Sequence, residues 1–479
     1  MELIIILAFI LGISAIGFFA VRFERSKEHN IIEWALGGNR FGPVIIWFLL
    51  GGDVYTAYTL IAVPGLAYGQ GVVAFFATSY AIMAYPLFFL TLPRLWNVSR
   101  RHGFITAGDY VEKVFDSRFL GVIVAILGII AELPYIGLQI FGMKYMLSLA
   151  GIPVSEAIIL SVFLVIGFTV VSGLRGPALT AFIKDFFVWA MVIFLVVYIP
   201  IHYFHGLGGM FKWFNAAYPK KSTLSVPQMW VFASLAFGSA GALFLYPHAI
   251  TGALSSKSAD AIRKNAVYLP LYNIMLLLIT FLGFAALFVV PGLKNPNMAL
   301  PMLLKKSFGP YMYSVFSGII VLGSMVPASI MAIASANLFS KNIYQNLFKP
   351  GAGDSELRIV SKLSVALIIL LALFLTLKIN PKYIIYLQLL GGTLIIQLFP
   401  LIFLPLFTNR VSAVPAGVST LGGVATVLGI IAVNGFKPAY HFIWIGLYGI
   451  AAEIAILLLL TFFFPSASGI DMKDYSDPA

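Results

Sequence analysis

Trp34 to Gln70 reads WALGGNRFGPVIIWFLLGGDVYTAYTLIAVPGLAYGQ. It begins as a basic, glycine-rich loop and becomes an apolar segment long enough to cross a bilayer, which takes about 20 residues. Midway stand Gly51, Gly52 and Asp53, followed by the hydroxyls of Tyr55, Thr56, Tyr58 and Thr59. Glycine weakens a helix interior, and a mid-membrane Asp costs roughly 3 kcal/mol on insertion scales, so such a residue faces a functional cavity. Together they predict a membrane helix broken at mid-depth, with freed backbone groups and polar side chains around the gap. Secondary transporters build their binding sites this way.

The rest of the chain supports a membrane setting. Its 479 residues are 61% hydrophobic and 10% charged, with mean hydropathy +0.98, where soluble domains carry about 25% charged residues. We expect an all-α polytopic membrane protein with about thirteen spans. They fall near 3–21, 43–68, 71–98, 118–149, 154–172, 178–203, 229–254, 264–291, 308–344, 357–378, 382–408, 411–433 and 439–464. Residues 1–33 form an N-terminal outer helix and inner loop, 34–410 a ten-helix transport core, and 411–464 two C-terminal helices. A polar cytoplasmic tail, 465–479, bears Asp471, Asp474 and Asp477 and is expected to be disordered.

Charge placement gives the orientation. With the N-terminus outside and the C-terminus inside, eighteen Lys and Arg fall on inner loops and ten on outer ends, the bias of a cell-membrane (inner-membrane) protein. Glu2 precedes the first apolar run and Arg22, Arg25 and Lys27 follow it, so the run is a retained helix and not a signal peptide. The net charge of +12 is spread over short loops, so no nucleic-acid partner is implied. No cysteine is present, which excludes disulfides and thiolate chemistry. His202 and His205 read as a solvated outer-loop pair, not a metal site. The 204–228 loop around them is either an interfacial helix or a lid. No cofactor and no protein partner are indicated; membrane lipid is the expected surrounding.

Internal repetition carries the architecture. Five spans after the first gap comes QMWVFASLAFGSAGALFLYPHAITGALSS, residues 228–256, with Gly238, Ser239 and Gly241 mid-span and then Pro247. Each set of glycines lies some 12–14 Å deep at ~1.5 Å per residue, entered from opposite sides. Two interrupted helices so placed predict an inverted five-plus-five repeat core. Glycines also serve helix packing, which is the alternative reading.

From about residue 34 to 410 the chain resembles the solute:sodium symporter family, in particular its monocarboxylate-permease branch. The resemblance rests on Leu36-Gly-Gly-Asn-Arg-Phe-Gly42, Gly51-Gly-Asp-Val-Tyr-Thr-Ala-Tyr-Thr59, Ala62-Val-Pro64, Leu92-Pro-Arg-Leu-Trp96 and Thr106-Ala-Gly-Asp-Tyr110. Pro134-Tyr-Ile-Gly-Leu-Gln139, Gly173-Leu-Arg175, Lys184-Asp185, Tyr246-Pro-His248, Val326-Pro-Ala328 and Ala336-Asn-Leu-Phe-Ser-Lys-Asn-Ile-Tyr344 add to it. It implies a small carboxylate as substrate, of the lactate, pyruvate or propionate class, and H⁺ or Na⁺ as the coupling ion. In the wider family two adjacent hydroxyls after a Met on the ninth span help to hold sodium. Here Met325 is followed by Val326-Pro327, and Ala181 stands where the family has an Asp near the ion exit. Hard cations need oxygen ligands, so the resemblance points away from that sodium site.

The candidate residues follow. Gly51, Gly52 and Asp53 mark the gap, with Asp53 either an ion-path carboxylate or a cap for freed N–H groups. Tyr55, Thr56 and Thr59 are candidate substrate ligands, or bond neighbouring helices. Glu132, Tyr135, Gln139 and Gly142 share one helical face, as a pathway lining or an interhelical seam, with Glu132 a candidate proton carrier. Ser239 is expected to face the substrate from the second break. Lys184 is expected to fill the place of the missing sodium, the alternative being snorkelling to the inner surface. Adjacent helical side chains diverge, so Lys184 and Asp185 are not expected to pair simply. Ser324 and Ser329 would complete an ion site if sodium were used. For His248 a helix-end hydrogen bond is expected, the alternative being a group that titrates in the physiological range.

The reading is a proton-coupled secondary transporter of small monocarboxylates. The alternative is a Na⁺-coupled symporter of another organic solute, such as an amino acid. A channel or membrane sensor is more remote, since no filter or charged ring is visible. An intramembrane enzyme would need a nucleophile–base or metal cluster that the sequence does not offer.

Overall fold

The computed structural model describes residues 2–23, 30–52, 55–378, 387–435, 437–464 and 469–477. Asp53 lies outside the described residues. Among those described, ten helical runs are long and apolar enough to cross a membrane; Glu2–Ala15, Pro43–Gly52 and Ile445–Thr461 are shorter apolar helices.

The chain opens with α1 (Glu2–Phe23) and the short α2 (Ile31–Leu36), which Asn30 caps by accepting from the Glu33 N–H at 2.9 Å. The first broken span is α3 (Pro43–Gly52) and α4 (Val63–Gln70), joined through a widened turn at Tyr58–Ala62. Next come α5 (Phe76–His102), α6 (Ala107–Phe115), α7 (Arg118–Leu149), α8 (Val154–Ser172) and α9 (Arg175–Phe204). The 204–228 loop holds α10 (Leu207–Ala217) and α11 (Pro219–Ser222). The second broken span is α12 (Val226–Leu243) and α13 (Pro247–Leu254). Beyond it lie α14 (Ala259–Tyr272), α15 (Ile274–Val289), α16 (Ala299–Ser307), α17 (Pro310–Leu338) and α18 (Asp354–Lys378). The chain ends in α19 (Leu387–Ile395), α20 (Phe399–Ile402), α21 (Ala413–Asn434) and α22 (Ile445–Thr461), with a two-stranded ribbon before α22.

Two helical groups result. One packs α4, α5, α12, α13, α14 and α15 together; the other packs α7, α8, α17 and α18. Between them, α9 touches α3, α15 and α17, while α19 touches α7 and α12. The apolar window of α17 is 100% buried and that of α8 only 33%, so α17 is the central strut and α8 an outer one.

The second break is not where the glycines suggest. α12 runs unbroken through Gly238, Ser239 and Gly241, and the helix parts at Phe244–Tyr246, just before Pro247. A glycine keeps its helical hydrogen bonds and costs only helix propensity, whereas proline removes a donor and starts a new first turn. The glycines serve contact instead. A Cβ on Gly238 would lie 2.1 Å from the Trp444 ring, and one on Gly241 3.3 Å from Ile396.

The loop expected as lid or interfacial helix is packed down. Phe214 of α10 stacks on Phe284 at 4.4 Å, and Lys221 Nζ donates to Tyr68 O at 2.8 Å. The tail also differs from expectation, since residues 469–477 are docked. Arg101 donates to Asp474 at 3.2 Å and to the Lys473 and Ser476 carbonyls, and His102 meets Asp474 at 2.9 Å. Asp477 accepts from Asn97 at 3.0 Å and Arg263 at 2.9 Å, and the Gly469 N–H donates to Val114 O. The tail thus ties α5 and α14 to α6 at the basic end of the molecule. Asp and Arg partners are satisfied there without burial, which composition alone does not reveal.

Two outcomes are expected. Gly238→Ala, forced against Trp444, lowers stability by about 1–3 kcal/mol in thermal unfolding. Gly429→Ala, with open space at its Cβ, stays within about 0.5 kcal/mol. For the tail, the hydrogen bond from His102, with Arg101 adding to it, holds the Asp474 carboxyl below its usual value of 3.8. A depressed carboxyl favours docking above that value and loses the preference as pH falls through the docked value. A nitroxide on Lys473→Cys should therefore be immobile at neutral pH and mobile in acid. Adding Asp474→Asn should mobilise it already at neutral pH.

Candidate functional site

Lys184 and Asp185 leave α9 toward the first break, and both are fully buried. Lys184 Nζ donates to Gly52 O at 3.0 Å, which also takes the Tyr55 N–H at 3.1 Å, and to Tyr55 O at 3.2 Å, both carbonyls at the end of the interrupted helix. Its ammonium is also 2.9 Å from Asp185 Oδ1, an ion-pair distance without hydrogen-bond geometry. The expectation that these neighbours do not pair is corrected. Their Cβ atoms diverge, but the four-carbon lysine stem curls back to the same gap.

The double glycine has a second use here. A Cβ on Gly52 would lie 2.8 Å from Asp185 Oδ2 and 3.3 Å from Lys184 Nζ, and one on Gly51 would meet the Tyr272 ring at 2.9 Å. Only glycine lets the ion pair and the tyrosine approach so closely. Tyr272 donates to Asp185 Oδ2, and its ring stacks on Tyr55 at 4.2 Å. Tyr55 in turn donates its hydroxyl to Tyr272 O. Trp189 closes the group edge-on.

The predicted stripe on α7 meets both breaks. Gln139 Oε1 accepts the Ala57 N–H at 2.8 Å, and Tyr135 OH lies 3.5 Å from Thr56 Oγ1. Thr56 itself accepts the Tyr58 N–H at 2.9 Å. Gly142 backs directly on Ala57, where a Cβ would be 2.6 Å away. Lower on the same face, Glu132 Oε1 accepts from the His248 backbone N–H at 3.1 Å and lies 2.6 Å from His248 Nδ1. The rings of Tyr135, Tyr246 and His248 lie 5.4–5.8 Å apart around this point, and Tyr58 meets Tyr80 edge-on across from them.

Other predicted residues are placed as follows. Thr59 is buried in the widened turn. Ser324 and Ser329 donate back to their own helix, to Ile320 O at 3.0 Å and Met325 O at 2.9 Å. Ser239 is buried in the continuous part of α12, before the second break rather than in it. Sequence reasoning did not place Tyr272, Tyr246 or Tyr80 in the site, although Tyr246 stands in one of the motifs of the resemblance. For His248, expected to make a helix-end hydrogen bond, the backbone N–H donates to Glu132 Oε1 and the ring faces the same oxygen. The only signal was Pro247, which marks His248 as the second residue of a half-helix.

Removing one partner of a buried ion pair strands the other. Lys184→Met should lower stability by about 3–5 kcal/mol, and Lys184→Met with Asp185→Asn should recover most of it. Thermal unfolding of purified protein in detergent checks both.

The sodium:solute symporter family matches residues 34–423. The uncharacterized symporter YodF of Bacillus subtilis is 37% identical over 98% of this chain and 94% of its own. A monocarboxylate transport permease protein of Rhizobium johnstonii is 35% identical over 98% of both chains. Among solved structures, a Na⁺-coupled sialic acid symporter in a substrate-bound outward-open state superposes with TM-score 0.81 at 15% identity, covering 97% of this chain and 98% of that one. The fold is therefore the all-α inverted five-plus-five repeat with two broken helices that such transporters share. The chain is a multi-pass membrane symporter and belongs to the sodium:solute symporter family.

Proposed function

We propose that this symporter takes up small monocarboxylates of the lactate, pyruvate or propionate class across the cell membrane by alternating access, coupled to protons. The observation that carries the coupling is Lys184 Nζ on Gly52 O and Tyr55 O. An ammonium there supplies the positive charge that a bound cation would bring, so the place of a sodium ion is already filled and H⁺ is left as the coupling ion. The sequence places Asp53 beside this gap, as a further ion-path carboxylate.

The substrate class is supported by the Rhizobium relative's name and by the donors at the first break. Ala57 N–H and the hydroxyls of Thr56 and Tyr135 converge there, and Gln139 Oε1 occupies the position a carboxylate oxygen would take. Neutral donors at a helix gap suit an anion. Rocking of the α4–α5–α12–α15 group against the α7–α8–α17–α18 group would expose the site to either side. The charge bias supports placing the basic end, with the tail, in the cytoplasm.

Sodium coupling is the second reading, favoured by the family and by the Na⁺-coupled structural relative. It would use the oxygen lone pairs of Ser324 and Ser329, whose hydroxyl protons go to Ile320 O and Met325 O. Uptake of radiolabelled lactate into proteoliposomes under separate gradients decides. Uptake driven by an inward proton gradient and indifferent to Na⁺ is expected. A requirement for Na⁺ would overturn the coupling, and no lactate uptake under either gradient would overturn the substrate class.

A further inference from the structure

Glu132 and His248 join the two helical groups at the basic-end side of the tyrosine cluster. Glu132 stands on α7, and His248 is the second residue of α13. Pro247 before it has no N–H, so the His248 N–H is the first donor of this half-helix. The acceptor that caps it comes from the other helical group. The same oxygen faces the ring: Glu132 Oε1 takes the backbone N–H at 3.1 Å and lies 2.6 Å from Nδ1. The contact is backed by close packing one turn away, where a Cβ on Gly128 would lie 3.0 Å from Pro247. Beneath the pair is a narrow cavity lined by Gly128, Pro247, Thr251, Ala334 and Leu338, on the side of the basic end.

Glu132 is fully buried, and its second oxygen, Oε2, has no hydrogen-bond partner among the described residues. With Oε1 accepting twice, a proton added to the carboxylate goes to Oε2. The titratable groups that face the pair are Tyr135 of α7 and Tyr246 of the break, with Tyr80 of α5 and Tyr58 of the first broken span behind them. From α17 the cavity wall presents Ala334 and Leu338, and from α19 the Gln388 carbonyl takes the Tyr246 hydroxyl.

We propose that Glu132 and His248 form a proton-binding site that locks α13 to α7, and that protonation of Glu132 at Oε2 releases the lock. While Glu132 is ionised, it holds the half-helix by two charge-assisted bonds. Once protonated, it remains a weaker, neutral acceptor, and α13 is free to move away from α7 and open the cavity. Water then reaches the carboxyl and takes the proton, and the lock re-forms only after the two groups close again. A carrier built this way opens at the basic end when loaded with a proton. That this end is the cytoplasm, and that the proton accompanies a monocarboxylate, rests on the uptake reading above; the lock does not.

The chain has no cysteine, so one reporter, Thr251→Cys, reads the cavity. Labelling by a membrane-impermeant maleimide is followed in membranes accessible from both sides, at pH about 8 and about 5.5, on either side of neutrality. Labelling rates are corrected with a freely exposed cysteine on Gly351→Cys. The lock predicts faster labelling at the lower pH. Glu132→Gln, which copies the protonated acid, should raise the rate about tenfold at the higher pH, the difference between a charged and a neutral acceptor, and remove the pH dependence. His248→Asn, which keeps the backbone bond, should fall between. Glu132→Asp serves as second variant and should keep the pH dependence. Equal rates in Thr251→Cys alone and with Glu132→Gln, or an unchanged pH dependence in Glu132→Gln, would overturn the proposal. Lactate uptake in the same preparation separates the two readings: a pH-dependent lock without lactate transport removes the substrate class and leaves the lock standing.

Discussion

A lysine ammonium bonded to two carbonyls of a broken helix is the contact on which the site depends. A helix cut inside a membrane leaves peptide groups that lipid cannot satisfy, each costing several kcal/mol. Lys184 satisfies Gly52 O and Tyr55 O at once, and Gln139 and Thr56 satisfy the Ala57 and Tyr58 N–H groups. The gap is therefore held from two sides by side chains of other elements. Asp185 and Tyr272 keep the buried ammonium in a polar setting, and Gly51 and Gly52 make the room. The break is stable because its neighbours replace the helix's own bonds.

The second break is solved differently. Pro247 removes a donor, and Glu132 supplies a carboxylate to the first N–H that remains. One face of α7 thus serves both gaps, with Gln139 and Tyr135 at the first and Glu132 at the second. A single rigid helix registers the two half-helices against each other.

Much of this was legible in the sequence, for identifiable reasons. Arg118–Leu149 and Val154–Ser172 fall where the apolar runs end, because charges and turn residues bound them sharply. The first gap was readable because glycines and hydroxyls are concentrated at one depth. The second was misplaced by a few residues, since Gly238 and Gly241 signal close packing as readily as a break, and only Trp444, some two hundred positions on, explains Gly238. The α7 stripe was visible as periodicity, but its partners were not. The Glu132–His248 contact joins residues 116 apart in sequence, and no local pattern encodes it. The tail read as free because three aspartates resemble a solvated end; its buried Ile470 and Tyr475 are too few to form an apolar run, and its partners Arg101, His102 and Arg263 lie on helices made much earlier.

That last contact has a consequence for the order in which the molecule comes together. Chains fold from the N-terminus as they are made, and residues 469–477 are the last described stretch to leave the ribosome. Arg101, Asn97 and Arg263 must wait for them until α22 has been inserted. The strap across α5, α6 and α14 is thus a seal that a chain ending before residue 469 cannot set.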